Sequence, residues 1–218
     1  KTPGCMLLPG GEVTTLDGFA QGAFFVVGRS SAFAVQAAAP KSGEIVLDLC
    51  ASPGGKSFLC ASLMLDQGNI LAFDVSEYKI ELIRQSAERL GFSSVLAATS
   101  DATNYNPMLR EVGDLVLCDV PCSGLGIIRK KPEIRFKNPD EIRILPEIQA
   151  RILANCAQYV KKGGTLVYST CTILQRENED VVRAFLTENP EFEAVSWTHP
   201  VCGERADGMV TLLPPVHN

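Results

Sequence analysis

The 218 residues are 46% hydrophobic with a formal net charge of −5, which provides apolar side chain for a core and excludes an intrinsically disordered chain. No apolar run approaches the roughly 20 residues that a membrane-spanning helix needs, so no membrane partner is expected. The acidic balance excludes a chain coated in positive charge but leaves room for a local basic patch.

Residues 1–43 read as an N-terminal extension. Gly, Pro and Thr surround one apolar run, Ala23-Phe24-Phe25-Val26-Val27, as a hairpin-like segment. A helix that Ser30 and Ser31 can cap follows, and Pro40 stops it. From Glu44 a catalytic domain is expected over residues 44–218, built on alternation. Ile45-Val46-Leu47 reads as a short buried strand, and residues 57–65 as a helix. A second strand runs from Asn69 to Asp74. Ser76 then caps a helix with Ile80, Ile83, Ala87 and Leu90 on one face and Gly91 at its end. Residues 94–98 and 114–118 form the third and fourth strands. A helix after Pro146 aligns Ile148, Ile152, Cys156 and Tyr159, and the Lys161-Lys162-Gly163-Gly164 run ends it. Residues 165–169 make a fifth strand, 177–186 a helix and 192–197 a sixth strand. Such alternation predicts an α/β fold with a doubly wound, mostly parallel sheet, whose ligands sit at the carboxyl ends of the strands.

The eight cysteines, at positions 5, 50, 60, 118, 122, 156, 171 and 202, include several inside apolar runs. A reduced, cytoplasmic protein fits them better than a disulfide framework. There is no C-x-x-C pair, and His199 and His217 lie far from the central cysteines, so no metal is expected. The start, Lys1-Thr2-Pro3-Gly4, has neither a signal-peptide core nor an initiating Met, as expected of a piece of something longer.

Polar residues gather where the strands end. The first strand leads into Cys50-Ala51-Ser52-Pro53-Gly54-Gly55-Lys56, where paired glycines let a ligand approach the backbone. This run is not a P-loop, because Cys50 stands where the first glycine belongs, and no complete G-x-G-x-x-G is present. Asp74, about 20 residues past the glycines, suits two ribose hydroxyls. Asp101 follows the third strand and could accept from an adenine amino group, although aspartates in such loops are also common turn formers. The fourth strand ends in Asp119-Val120-Pro121-Cys122 and the fifth in Ser169-Thr170-Cys171-Thr172. Both thiols fall in Pro/Gly/Ser/Thr loops near helix N-termini, which lower a thiol pKa, and either could be a nucleophile. Arg129, Lys130, Lys131, Arg135 and Lys137 follow directly. They read either as a solvated face or as a grip on phosphates beside a presented base.

The runs Asp-Leu-Cys-Ala-Ser-Pro-Gly-Gly-Lys, Asp-Val-Pro-Cys-Ser-Gly and Ser-Thr-Cys-Thr with Glu177-Asn178-Glu179 closely resemble the RsmB/Sun (Nop2-like) family of RNA cytosine-5 methyltransferases, from about Leu16 to Leu213. Residues 126–137 look most like the bacterial 16S ribosomal RNA members. The resemblance implies a Rossmann-like domain that uses S-adenosylmethionine (SAM) to form 5-methylcytosine. Cys50, Ala51, Ser52, Pro53, Gly54, Gly55 and Lys56 would cradle the methionine part, Asp74 the ribose and Asp101 the adenine edge. Asp119 would lie beside the methyl donor and the target base, helping to hold the cofactor and serving as base or stabilising the charge that develops. Cys171 would be the nucleophile and Cys122 would assist product release, with RNA held by Arg129, Lys130, Lys131, Arg135 and Lys137. Ser52 departs from the usual alanine. Val27-Gly28-Arg29 stands where relatives often have Gln-Asp, and relatives continue past Asn218 into an Asp-Gly-Phe-Phe strand, so a final strand is expected to be missing. Only the tail of an upstream helical RNA-binding domain is expected here, and a monomer is favoured. The competing readings are a transfer RNA or DNA cytosine-5 methyltransferase, with Cys122 attacking in the DNA case. A non-catalytic SAM- or RNA-binding assembly module and a dinucleotide oxidoreductase are the other two.

Overall fold

The computed structural model describes residues 11–199 and 203–212. Cys5, Cys202 and His217 lie outside them. The elements are α1 (Arg29–Ala38), β1 (Ile45–Asp48), α2 (Gly55–Leu63), β2 (Asn69–Asp74), α3 (Glu77–Leu90), β3 (Val95–Thr99), β4 (Gly113–Asp119), α4 (Pro139–Arg143), α5 (Leu145–Tyr159), β5 (Val160–Ser169), α6 (Glu179–Glu188), β6 (Trp197–His199) and β7 (Gly203–Arg205).

Five strands form one parallel sheet in the order β3-β2-β1-β4-β5. Chain order reverses between β1 and β4, which opens a crevice beyond their carboxyl ends. Side chains alternate across the sheet. Val46, Ile70, Leu115 and Leu117 bury against α1, α2 and α3 through Val35, Phe58, Met64, Ile80 and Ile83. On the other face Leu47, Val116 and Cys118 bury against Ile152, Leu153, Cys156 and Tyr159 of α5 and Val181 and Phe185 of α6. Both faces are dry, so the strands read as continuous apolar runs.

Several local expectations are corrected. Residues 11–28 form no hairpin: Val13–Thr15 is a single 3-10 turn, and the apolar run packs through Phe25 and Val27 onto the α2/α3 core instead of pairing. Ser30 and Ser31 do not cap α1, which starts earlier, behind Gly28; Ser76 stands at the N-cap of α3, but its side chain makes no capping bond. Helix α2 stops at Leu63 because Leu65 and Asp66 turn left-handed. The Lys161–Gly164 run lies inside β5. Residues 192–196 are not a strand of the main sheet. Phe192 turns in to pack edge-on against Phe185, ring centroids 5.2 Å apart, which breaks the two-residue alternation. Trp197 then begins β6, which pairs antiparallel with β7 apart from the main sheet.

Ile83 is fully buried against the glycine turn that opens α2. Replacing it with Ala should destabilise the fold by about 2–5 kcal/mol, read as a lower urea midpoint with unchanged slope.

Candidate active site

The rim is assembled by strand register. Beyond β1, Gly54 adopts φ +97°, where an added Cβ would lie 2.6 Å from the Phe58 ring. Only glycine opens α2 there without displacing that ring. A cleft of about 140 Å³ follows, lined by Val27, Gly28, Ala51, Pro53, Gly55, Lys56 and Asp119 among others. Beneath it Asp48 is fully buried. Ser57 Oγ donates to Asp48 Oδ2 at 2.7 Å, whereas Oδ1 has no partner. Burial pushes the Asp48 carboxyl up to about 6, against the opposing effects of the Ser57 bond and the Lys56 charge.

Lys56 reaches across the crevice to Asp119 Oδ2 in an ion pair. Ser169 Oγ donates to Asp119 Oδ1 at 2.6 Å, so both carboxylate oxygens are held. Asp74, buried at the end of β2, accepts from the Ser76 amide at 3.1 Å and faces Lys79 Nζ at 3.4 Å. Asp101 is exposed and closes its own turn, accepting from the Thr103 amide and hydroxyl and from Asn104 Nδ2.

Residues Asp119 and Ser169 are register partners, and the Val120 amide extends the ladder to Ser169 O at 3.1 Å. The loops beyond therefore run side by side, and Cys122 Sγ and Cys171 Sγ meet at 3.1 Å. The Cys171 amide also donates to Cys122 Sγ at 3.2 Å. The two thiols differ sharply. The hydrogen bond from Cys122 lowers Cys171 to about 7; burial and the Asp119 charge oppose this, while Lys137 and Lys56 assist. Cys122 is driven up, first as donor in that bond and then by burial. The direction of both shifts favours the thiolate on Cys171, and the neighbouring sulfur and two lysines contribute to it. Cys171 is exposed, whereas Cys50 is largely buried and raised by that burial.

A set of residues given no role from sequence holds the two loops together. Glu177, fully buried, accepts from the Ser123 amide at 2.8 Å and Gln149 Nε2 at 3.0 Å. Gln149 Nε2 also donates to Pro121 O at 3.0 Å. Ser123 Oγ and Thr172 Oγ1 lie 2.7 Å apart, and Asn178 accepts from Thr170 and donates to Thr172 O. The Gly126 amide donates to Cys171 O, and a Cβ there would come within 2.8 Å of that oxygen. The available signal was a carboxylate six residues after Cys171, yet it reads equally well as the start of a helix.

Arg129, Lys130, Lys131, Arg135 and Lys137 are all exposed on the turns that follow. Lys137 turns its amine inward, donating to Cys122 O at 3.2 Å and Ser123 O at 2.9 Å. Among the described residues no group of three or more His, Cys, Asp or Glu could hold a metal ion, and no helix is long and apolar enough to cross a membrane.

A crevice at a 3-2-1-4-5 switch point, with acids and thiols on its rim, defines a Rossmann-like methyltransferase domain. The chain belongs to the 16S rRNA methyltransferase RsmB/F family, whose model matches residues 35–218. It is 45% identical over 177 residues to the probable ribosomal RNA small subunit methyltransferase B of Bacillus subtilis, covering 80% of this chain and 40% of that protein. It therefore spans less than half the length of that relative. Among solved structures it resembles PH0851, with TM-score 0.84 and 37% identity over 88% of this chain and 44% of that one. It also resembles NSun6 from Pyrococcus horikoshii with SFG, with TM-score 0.74 and 28% identity over 82% of this chain and 46% of that one.

Two outcomes follow from the electrostatics. Alkylation of Cys171 by iodoacetamide should show a midpoint near pH 7. In Cys122→Ala the midpoint should rise toward the ordinary thiol value of about 8.5. Because the Asp48 carboxyl is raised above its unfolded value of 3.8, its contribution to stability is most favourable below pH 3.8 and declines as pH rises through about 6. Asp48→Asn should remove that decline, seen by comparing urea unfolding of the two proteins between pH 4 and pH 7.

Proposed function

We propose that this protein forms 5-methylcytosine in RNA, with SAM as methyl donor and small-subunit ribosomal RNA as substrate, acting in the cytoplasm. The observation that carries the reading is the thiol pair, an exposed Cys171 whose sulfur lies 3.1 Å from that of Cys122, with the Cys171 pKa lowered and the Cys122 pKa raised. The family and the named small-subunit methyltransferase relative support the reaction and substrate.

The rim suits the cofactor. The glycine turn leaves backbone accessible, Asp48 keeps a buried, unpartnered oxygen beneath the turn, and Asp74 stands at the end of β2. In this reading Cys50–Lys56 hold the methionine part, Asp74 holds the ribose and Asp101 the adenine edge. Asp101 must first release part of its own turn, since its oxygens are engaged by Thr103 and Asn104. When bound, SAM supplies the methyl group that carbon 5 takes up.

Carbon 5 of cytosine is a weak nucleophile. Cys171 Sγ forms a bond to carbon 6, and the electrons of the 5,6 double bond become available at carbon 5. Asp119 lies toward ring nitrogen 3, where negative charge develops, and stabilises that charge by passing on a proton drawn from the Lys56 ammonium paired with it. Once Cys171 is bonded to carbon its charge is gone, and with it the hydrogen bond that held the proton on Cys122. Cys122 can then release its proton to solvent water and, as a thiolate, take the proton from carbon 5. The electrons left behind restore the double bond and expel Cys171. The base must be unstacked to admit attack from one face, which favours single-stranded or opened RNA. Attack by Cys122, as the DNA reading requires, is opposed by the proton that sulfur carries.

Cys171→Ala should abolish methylation, a loss of at least about 10³-fold. Cys122→Ala should let attack proceed but block release, so that a denaturation-resistant protein–RNA adduct accumulates on gels. Mapping 5-methylcytosine in ribosomal RNA from cells lacking the gene should show one small-subunit site lost. A full complement of modified sites would refute the substrate.

A further inference from the structure

Phe136 is the most exposed large apolar side chain described, at 88%. Leaving a phenylalanine in water forgoes burial that the fold achieves for Phe33, Phe58 and Phe185. It is not a loose loop tip. It ends the 3-10 turn Pro132–Phe136, whose Ile134 is buried beneath Gly124, close enough that a Cβ on that glycine would come 2.9 Å from Ile134 Cδ1. On its other side Lys137 is pinned by two hydrogen bonds to the carbonyls of Cys122 and Ser123. The ring thus projects from a segment anchored at both ends, one of them the thiol loop itself.

The surroundings indicate what covers the ring. Arg129, Lys130, Lys131 and Arg135 are exposed around it in sequence, opposed within the turn by Glu133 alone. An aromatic face amid cations, in a chain of net charge −5, fits a polyanion that also carries flat apolar rings.

We infer that Phe136 is a stacking platform for an unpaired RNA base flanking the target nucleotide, with the surrounding cations holding its phosphates. This deepens the RNA reading above and rests on it. Phe136 directly precedes Lys137, the lysine that touches the Cys122 loop, so a base on the ring lies near the nucleotide presented to Cys171. An enzyme that pulls one base out of the stack leaves a neighbour with one face bare, and the ring covers that face.

The test is binding of a synthetic single-stranded RNA, containing the target cytosine, to the full-length protein. Phe136→Ala should weaken binding roughly five- to hundred-fold, the range expected for one stacked base. Phe136→Trp should retain affinity, and Phe136→Leu should behave like Phe136→Ala. An abasic residue at one flanking position should cost the wild type a similar factor and cost Phe136→Ala nothing further. If Phe136→Ala binds as tightly as wild type, or every abasic position costs both proteins equally, the inference falls while the RNA reading stands. The same holds if Phe136→Ala only lowers the melting temperature, as loss of an intramolecular cover would. If the wild type binds no RNA, the RNA reading itself falls.

Discussion

The site depends on the parallel pairing of β4 with β5. Because Asp119 is the register partner of Ser169, the residues beyond both strands are forced to run alongside one another. Two cysteines 49 positions apart thus meet at 3.1 Å, and Asp119 lies within reach of Ser169. A slip of one residue would send each of these side chains to the opposite face of the sheet. The chemistry is therefore coupled to the core, since Leu115, Leu117, Val116 and Cys118 fix β4 from both sides.

Beyond the strands the backbone no longer supplies order, and buried polar side chains take over. Glu177 and Gln149 tie the Pro121–Ser123 loop to the segment that follows Cys171, and Asn178 ties Thr170 to Thr172. The glycine at 126 lets the third strut, an amide on Cys171 O, come close. Such a network stabilises one arrangement of the thiols because each buried polar atom that lost its partner would be costly. Electrostatics then divides the roles. Lys56 and Lys137 favour charge on Cys171, Asp119 opposes it, and the Cys122 proton decides the balance.

Much of this was legible before any coordinates. Five of the six expected strands appear within a few residues of their expected ends, because a sheet buried on both faces writes short apolar runs bounded by polar turns. The sixth failed because the alternation at 192–197 recorded one phenylalanine docking on a neighbouring helix. Asp119 and the two thiols could be placed together because strand ends are readable and β4 pairs with β5 in register, whereas Asp101 closes its own turn. Which thiol carries the charge was not readable, since it depends on a 3.1 Å contact between residues 49 positions apart. The motifs pointed to Cys171 only through family resemblance. The Glu177 network was missed for the same reason, its partners being distant in sequence, and the engagement of Asp119 by Lys56 is likewise a product of tertiary packing.

The claim most open to contradiction is that Cys171 forms the bond to the pyrimidine ring. A substrate RNA carrying 5-fluorocytosine at the target position, incubated with wild-type protein and SAM, cannot lose its carbon-5 substituent as a proton, so the protein–RNA bond persists. Peptide mapping of the adduct by mass spectrometry should place the modified nucleotide on the tryptic peptide 163–176, which holds Cys171. Attachment to peptide 111–129, which holds Cys122, or no attachment at all, would contradict the account.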